Sequence, residues 1–156
     1  EKVCEFNATS GVACVNQCTP ELFKKHPDII KSALSLIDEE VGELKDAIRD
    51  GNLIETRDAL ADILYVVYGM AFRLGINADA DFDLVHKSNM TKFCDSEEEA
   101  RATVELYAHE YAIGKQHKYS SPAYRYEKHT NKWVVYDAIT TKVLKNMNYK
   151  PVDLTK

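Results

Sequence analysis

The sequence predicts a mainly α protein, an antiparallel helical bundle with a small C-terminal β-hairpin extension. Three observations carry this. Ile30, Leu34, Ile37, Val41, Leu44 and Ile48 recur in alternating steps of four and three, the spacing of one buried stripe on an amphipathic helix. Residues 63–72, ILYVVYGMAF, are apolar all round, as expected of a helix covered on most sides. After Gly114 the pattern changes to aromatic and β-branched runs, at Tyr124–Glu127 and Trp133–Tyr136, separated by His129-Thr130-Asn131-Lys132.

Taken in order, residues 1–20 show little periodicity, and a short helical turn is expected over 21–26. Pro27 suits a helix start, where its missing N–H has no partner to lose. Two long helices follow, joined by Asp50-Gly51-Asn52, with Gly75 closing the second in the left-handed conformation that ends many helices. A third helix is expected over 81–93, with Phe82, Val85, Met90 and Phe93 on its inner side. Ser96 followed by Glu98 and Glu99 reads as a capping box opening a fourth helix over Glu97–Ala112, its acids forming a solvated face. Val143-Leu144 is expected as a third short strand, and the polar tail from Asn146 onward as a surface segment. On this basis residues 1–94 form the helical core, and 95–156 an extension packed on the same domain.

The acids sit where a packed helix would not ordinarily carry them. At ~100° per residue, Leu36, Glu40, Glu43 and Ala47 make a second row flanking the apolar stripe, with Glu39 just outside it. Asp62 opens the apolar run 63–72, with Asp58 a turn earlier and Glu55 before that. Burying a charge costs several kcal/mol unless something compensates it. Arg57, the nearest base, points away from Asp58 in a regular helix. A divalent cation shared between the two acidic clusters is the better compensation, because an antiparallel hairpin through the Asp50–Asn52 turn brings them to similar heights. Along the third helix, Asn89 and Lys92 follow Val85 at i+4 and i+7 with His86 beside them, three polar groups that suit either a phosphate site or an ordinary polar helix end, with Lys92 favouring the C-terminal dipole.

The chain is long enough, at 156 residues, for one domain with a real core. A net charge of −5 and the lack of a basic stripe argue against a nucleic-acid partner. The apolar run is too short for a bilayer span, which needs ~20 residues, so no membrane partner is expected either. Cys4, Cys14, Cys18 and Cys94 lack metal spacing and read as free thiols of a reducing, cytoplasmic setting. The sequence begins at Glu1 rather than Met, which leaves open whether a segment precedes it.

Three ordered stretches carry a resemblance: Glu39-Glu40-Val41-Gly42-Glu43, then Asp58-Ala59-Leu60-Ala61-Asp62-Ile63-Leu64-Tyr65, then Val85 to Phe93 through Asn89-Met90-Thr91-Lys92. Together they resemble the all-α nucleoside triphosphate pyrophosphohydrolases, a superfamily that includes MazG, the dimeric dUTPases and phosphoribosyl-ATP pyrophosphohydrolase. The MazG-like proteins of phages and viruses are most similar. Lys142-Val143-Leu144-Lys145 and Asp153-Leu154 also resemble an extension in some viral members. In that family pattern Glu40 and Glu43 match the Glu-x-x-Glu acids and Asp62 the last acid of Glu-x-x-Asp. The Glu expected three residues before it is Ala59 here, and the acid lies instead at Asp58.

The resemblance implies hydrolysis of a (deoxy)nucleoside triphosphate between its α- and β-phosphates, giving monophosphate and pyrophosphate. Carboxylate ligands suit Mg²⁺, with Mn²⁺ as a substitute. Glu40, Glu43, Asp58 and Asp62 are the expected metal ligands, Glu39 either the residue that orients or deprotonates water or a further ligand, and Asn89 and Lys92 the holders of phosphate oxygens. Two alternatives stand beside it: a strict dUTPase, and a non-catalytic helical module that binds metal or nucleotide. The apolar run offers more surface than one hairpin partner covers, so a homodimer or higher homo-oligomer is expected.

Overall fold

The structure is a computed structural model and describes residues 1–15 and 18–155. The chain divides into two compact units, Glu1–Asp79 and Ala80–Lys156.

The first unit is built on a helical hairpin. Helices α1 (Lys2–Thr9) and α2 (Leu22–Lys25) precede it; α3 (Pro27–Arg49) and α4 (Leu53–Leu74) form it. Pro27 opens α3, and Asp28 in the first turn complements the helix dipole. The connection is set by its own residues. Gly51 takes φ +66°, and the Asn52 side chain caps α4 by accepting from Ile54 N at 3.1 Å and Glu55 N at 3.2 Å. Gly75 ends α4 at φ +66°, as expected. A side chain there would also meet the Val15 carbonyl at 2.9 Å, because Val15 N donates to Arg73 O and lays the segment before α2 against the end of α4.

The hairpin packs through small residues. Ala33 and Ala47 are the buried residues of α3, while Ala59, Gly69, Ala71 and Leu74 are those of α4. The expected apolar stripe is therefore turned: Leu34 and Ile48 are exposed, and the row through Ala33, Ile37, Glu40, Leu44 and Ala47 lies deeper. The run 63–72 is likewise not covered on most sides, since Leu64, Tyr65, Val67 and Tyr68 are all exposed. Helix α1, which the sequence did not disclose, lies on α4 with Phe6 edge-on to Tyr65 at 5.7 Å between ring centres. Asn7 is buried there and donates to Val3 O at 2.8 Å.

The division between the units falls in the first turn of α5 (Ala78–Met90). Most of α5, together with α6 (Glu97–Ala112), β1 (Pro122–Glu127) and β2 (Lys132–Asp137), makes the second unit. The strands are antiparallel with Tyr124 opposite Val135 and Tyr126 opposite Trp133. Cys94, Ala100, Val135 and Leu144 form its core, ringed by Val104, Tyr107, Tyr119, Tyr124 and Trp133. Asp137 is buried at the strand end and satisfied by Ser121 N, Thr140 N and Thr140 Oγ1, each at 2.9 Å.

Helix α6 has the expected bounds, and Ser96 Oγ accepts from Glu99 N at 3.1 Å. Four expectations change in this unit. Phe82 is exposed rather than inward. Val143 makes a single bridge to Tyr136, and Leu144 N donates to Val135 O, so among the described residues there is no third strand. The tail is no loose surface segment. Asn146 is buried and bonds Phe93 O and Glu99 Oε1, while Asn148 Nδ2 bonds the same Glu99 oxygen at 2.7 Å. Glu99 is consequently half-buried, not part of a solvated face. Among the described residues no single helix is long and apolar enough to cross a membrane.

Candidate active site

The hairpin places Glu40 on the row of α3 that faces α4, level with Ala33 and Ala47, and its Oε2 is buried with no hydrogen-bond partner. A buried acceptor left without a donor carries its full desolvation penalty. Burial raises the Glu40 carboxyl above its ordinary range, and the negative charges of Glu43, Asp62, Glu39 and Asp58 raise it further. Five of the acids singled out from the sequence thus share one electrostatic neighbourhood in the first unit.

They are not equivalent. Asp62 is half-buried and lies three residues beyond the buried Ala59, on the α3-facing side of α4. Glu39 and Glu43 are exposed on α3. Asp58 is exposed as well and lines an open outer depression with Ile54, Arg57 and Ala61, so Arg57 and Asp58 border one feature rather than opposite ones. Its charge is the weakest of the four on Glu40. The row position that the family pattern gives to a glutamate is occupied by Ala59, close against α3.

Among the described residues, no three carboxylates, histidines or cysteines converge as a ready-formed metal site. Like charges within electrostatic reach spread apart unless a cation draws them in. The donor set nonetheless fits a hard divalent ion: oxygen ligands alone, one of them buried and unpartnered, on two helices packed against each other. Glu40 and Asp62 are the two of these acids that are not exposed, while Glu43, Glu39 and Asp58 act on Glu40 from exposed positions.

Asn89 and Lys92 lie in the second unit. Lys92 Nζ donates to Asn89 Oδ1 at 2.7 Å, so the two form one polar group at the end of α5. The sequence reading missed what surrounds them. Ser88 is buried and donates through Oγ to Lys150 O at 2.8 Å, and Lys150 N donates to Thr91 Oγ1 at 2.9 Å, binding the tail to the last turn of α5. No periodicity marks such a docking, which is made of single polar side chains. The first unit also has a cleft of about 650 Å³, bordered by Cys4, Cys14, Tyr68, Phe72, Ile76 and Asp79, with Tyr68 donating to Asp79 at 2.9 Å.

Over 95 residues the chain is 43% identical to an uncharacterized protein of Acanthamoeba polyphaga mimivirus, a match spanning 60% of this chain and 38% of that protein. The chain thus covers well under half the length of this relative. Residues 15–89, which hold the hairpin, its acids and α5 as far as Asn89, match the model of the phosphoribosyl-ATP pyrophosphohydrolase family. Over this segment the chain is similar to that family, which belongs to the MazG-like, all-α nucleoside triphosphate pyrophosphohydrolase superfamily.

Proposed function

We propose that the protein hydrolyses a nucleoside triphosphate between the α- and β-phosphates, releasing a monophosphate and pyrophosphate, with Mg²⁺ as cofactor and Mn²⁺ able to replace it. The observation that carries this is the buried, unpartnered Glu40 Oε2 amid four further acids, inside a segment similar to a family of pyrophosphohydrolases. MazG-like members generally use divalent metals.

Glu40, Glu43 and Asp62 would hold the metal, with Asp58 joining from the outer edge. When bound, the ion supplies charge neutralisation of the triphosphate and a lowered pKa for the attacking water. Glu39, exposed beside Glu40, is free to orient that water or take its proton. Glu40 and Asp62 lie on facing rows of two helices, so their carboxylates are placed by backbone packing rather than by loops. Asn89 and Lys92 offer donors to phosphate oxygens. The working form is a homo-oligomer, most simply a dimer. The free thiols suit a reducing, cytoplasmic location.

The test is a panel of ribo- and deoxyribonucleoside triphosphates with Mg²⁺, read for pyrophosphate and orthophosphate separately. Pyrophosphate from at least one nucleotide is expected. Orthophosphate alone would place cleavage at another bond, and no turnover with either metal would leave a binding module.

A further inference from the structure

Two lysines from distant parts of the second unit converge on one tyrosine ring. Lys92, just after α5, places Nζ 6.0 Å from the centre of the Tyr149 ring, and Lys145, from the tail, places its own 4.5 Å from it. The ring is fixed from several sides. Tyr149 N donates to Asn146 O, Asn146 N donates to Lys92 O, and Ser88 Oγ lies 3.3 Å from the Tyr149 hydroxyl.

Each lysine brings an ammonium group to the same ring, and among the described residues no carboxylate pairs with either. The described ion pairs of this unit join Arg101 to Glu97, Lys115 to Glu110 and Lys132 to Asp95, and none includes Lys92 or Lys145. Glu99, the acid that reaches the tail, is taken up by Asp95 N, Asn146 and Asn148. Nor do the carbonyls at the end of α5 call for cations. Ser88 O, Asn89 O and Met90 O accept from Thr91 N, Lys92 N and Phe93 N, while Lys92 O and Phe93 O accept from Asn146. Asn89 Oδ1 accepts from Lys92, and among the described residues no acceptor takes its amide protons. The groups left over here are donors, and two of them are charged.

We propose that Lys92 and Lys145, with Asn89 beside them, form an oxyanion site that takes the phosphate groups of a polyphosphate, completed by the C-terminal tail. The anion class follows from the residues themselves. That the anion is the β,γ-diphosphate of a nucleotide, or the pyrophosphate product, rests on the function proposed above. Lys145 thereby gives the extension a share in substrate binding.

The experiment titrates the full chain with inorganic pyrophosphate in the presence of a chelator, followed by calorimetry. Binding is expected, weakened about tenfold or more by Lys145→Gln and by Lys92→Gln, as for loss of a hydrogen bond to a charged group. Lys145→Arg should restore it. Lys128→Gln, which removes the same charge from the hairpin loop, should leave it unchanged. If Lys128→Gln weakens binding as much as Lys145→Gln, or if Lys145→Gln changes nothing, the site is overturned. Nucleotide turnover separates the two proposals. A wild type without turnover that still binds pyrophosphate through Lys145 keeps the oxyanion site and loses the enzyme. Turnover with the same KM in Lys145→Gln keeps the enzyme and removes the site.

Discussion

Asn146 reaches 53 positions back along the chain to donate to Phe93 O at 3.2 Å, and with the same amide it donates to Glu99 Oε1 at 2.9 Å. Asp95 N fills the other Glu99 oxygen at 2.8 Å. One carboxylate therefore joins the start of α6 to the tail. Burial raises the Glu99 carboxyl, but the bonds from Asn148, Asn146 and Asp95 N and the charge of Lys132 outweigh it and hold it below its ordinary value. A depressed acid contributes stability that is present above its unfolded pKa of about 4.5 and is lost as pH falls through the lower folded value. Glu99→Gln replaces one acceptor by donors facing donors, and should cost about 1–3 kcal/mol at neutral pH. Denaturant titrations of wild type and variant at pH 7 and near pH 3.5 check both statements: the difference should be larger at pH 7.

The acidic hairpin gives the opposite sign. Because burial and the charges of Glu43, Asp62, Glu39 and Asp58 raise the Glu40 carboxyl, the folded protein binds protons that the unfolded chain has released. Metal-free stability should therefore fall as pH rises from about 4.5 toward neutrality. Glu40→Gln removes that slope. Melting curves in chelator across this range decide it, and an unchanged slope in the variant would dissociate Glu40 from the effect.

Asp62→Asn separates catalysis from stability. The amide keeps the shape and loses the charge, so most turnover should disappear while metal-free thermal stability stays equal or rises. Added Mg²⁺ should stabilise the wild type through mass action and the variant much less. Wild-type turnover together with a full Mg²⁺-induced shift in Asp62→Asn would remove Asp62 from the site.

Leu60, Leu64 and Val67 follow one another along α4 at i, i+4 and i+7, each at least 43% exposed, and Leu34 and Ile48 lie bare on α3. A hairpin that buries its alanines and exposes its leucines is expected to close against a second copy. Light scattering at micromolar concentration should report a dimer or larger assembly, and Leu64→Glu should shift it to monomer. A monomeric wild type contradicts the proposal.

Thr141 adopts φ +60°, a left-handed conformation that a β-branched residue resists at a cost of about 1–2 kcal/mol. Its N–H is held by Asp137 O at 2.8 Å, which keeps the turn closed. Thr141→Asn should raise stability by about 1 kcal/mol, since Asn tolerates this region. An equal or lower melting temperature would show that the Thr141 hydroxyl, bonded to Thr140 O, contributes more than the strain costs.

The elements that periodicity or capping announces were legible: α3 and α4 from their apolar spacing, α6 from Ser96 and Glu99, the hairpin from its aromatic runs. What packs through small or polar groups was not. Leu34 and Ile48 outrank Ala33 and Ala47 in hydrophobicity, so the stripe read from the sequence followed size. The helices instead meet where the smallest side chains let backbones approach. Helix α1 has no side-chain cap and little amphipathicity to disclose it. Asn146 and Tyr149 dock by individual hydrogen bonds and a ring, which leave no repeating trace. At the site, the gathering of acids around Glu40 was readable from helical spacing, whereas the outward position of Asp58 depends on Ala59 filling the row.

The brevity of Asp50-Gly51-Asn52 leaves the hairpin no slack. Gly51 at φ +66° and the Asn52 cap fix where α4 begins, and every later residue of α4 inherits that phase. A single residue gained between Leu53 and Asp62 would swing Asp62 by ~100° around the helix, away from Glu40, with no loop long enough to turn it back. In descendants of this sequence the composition of that stretch is free to drift, but its length is not.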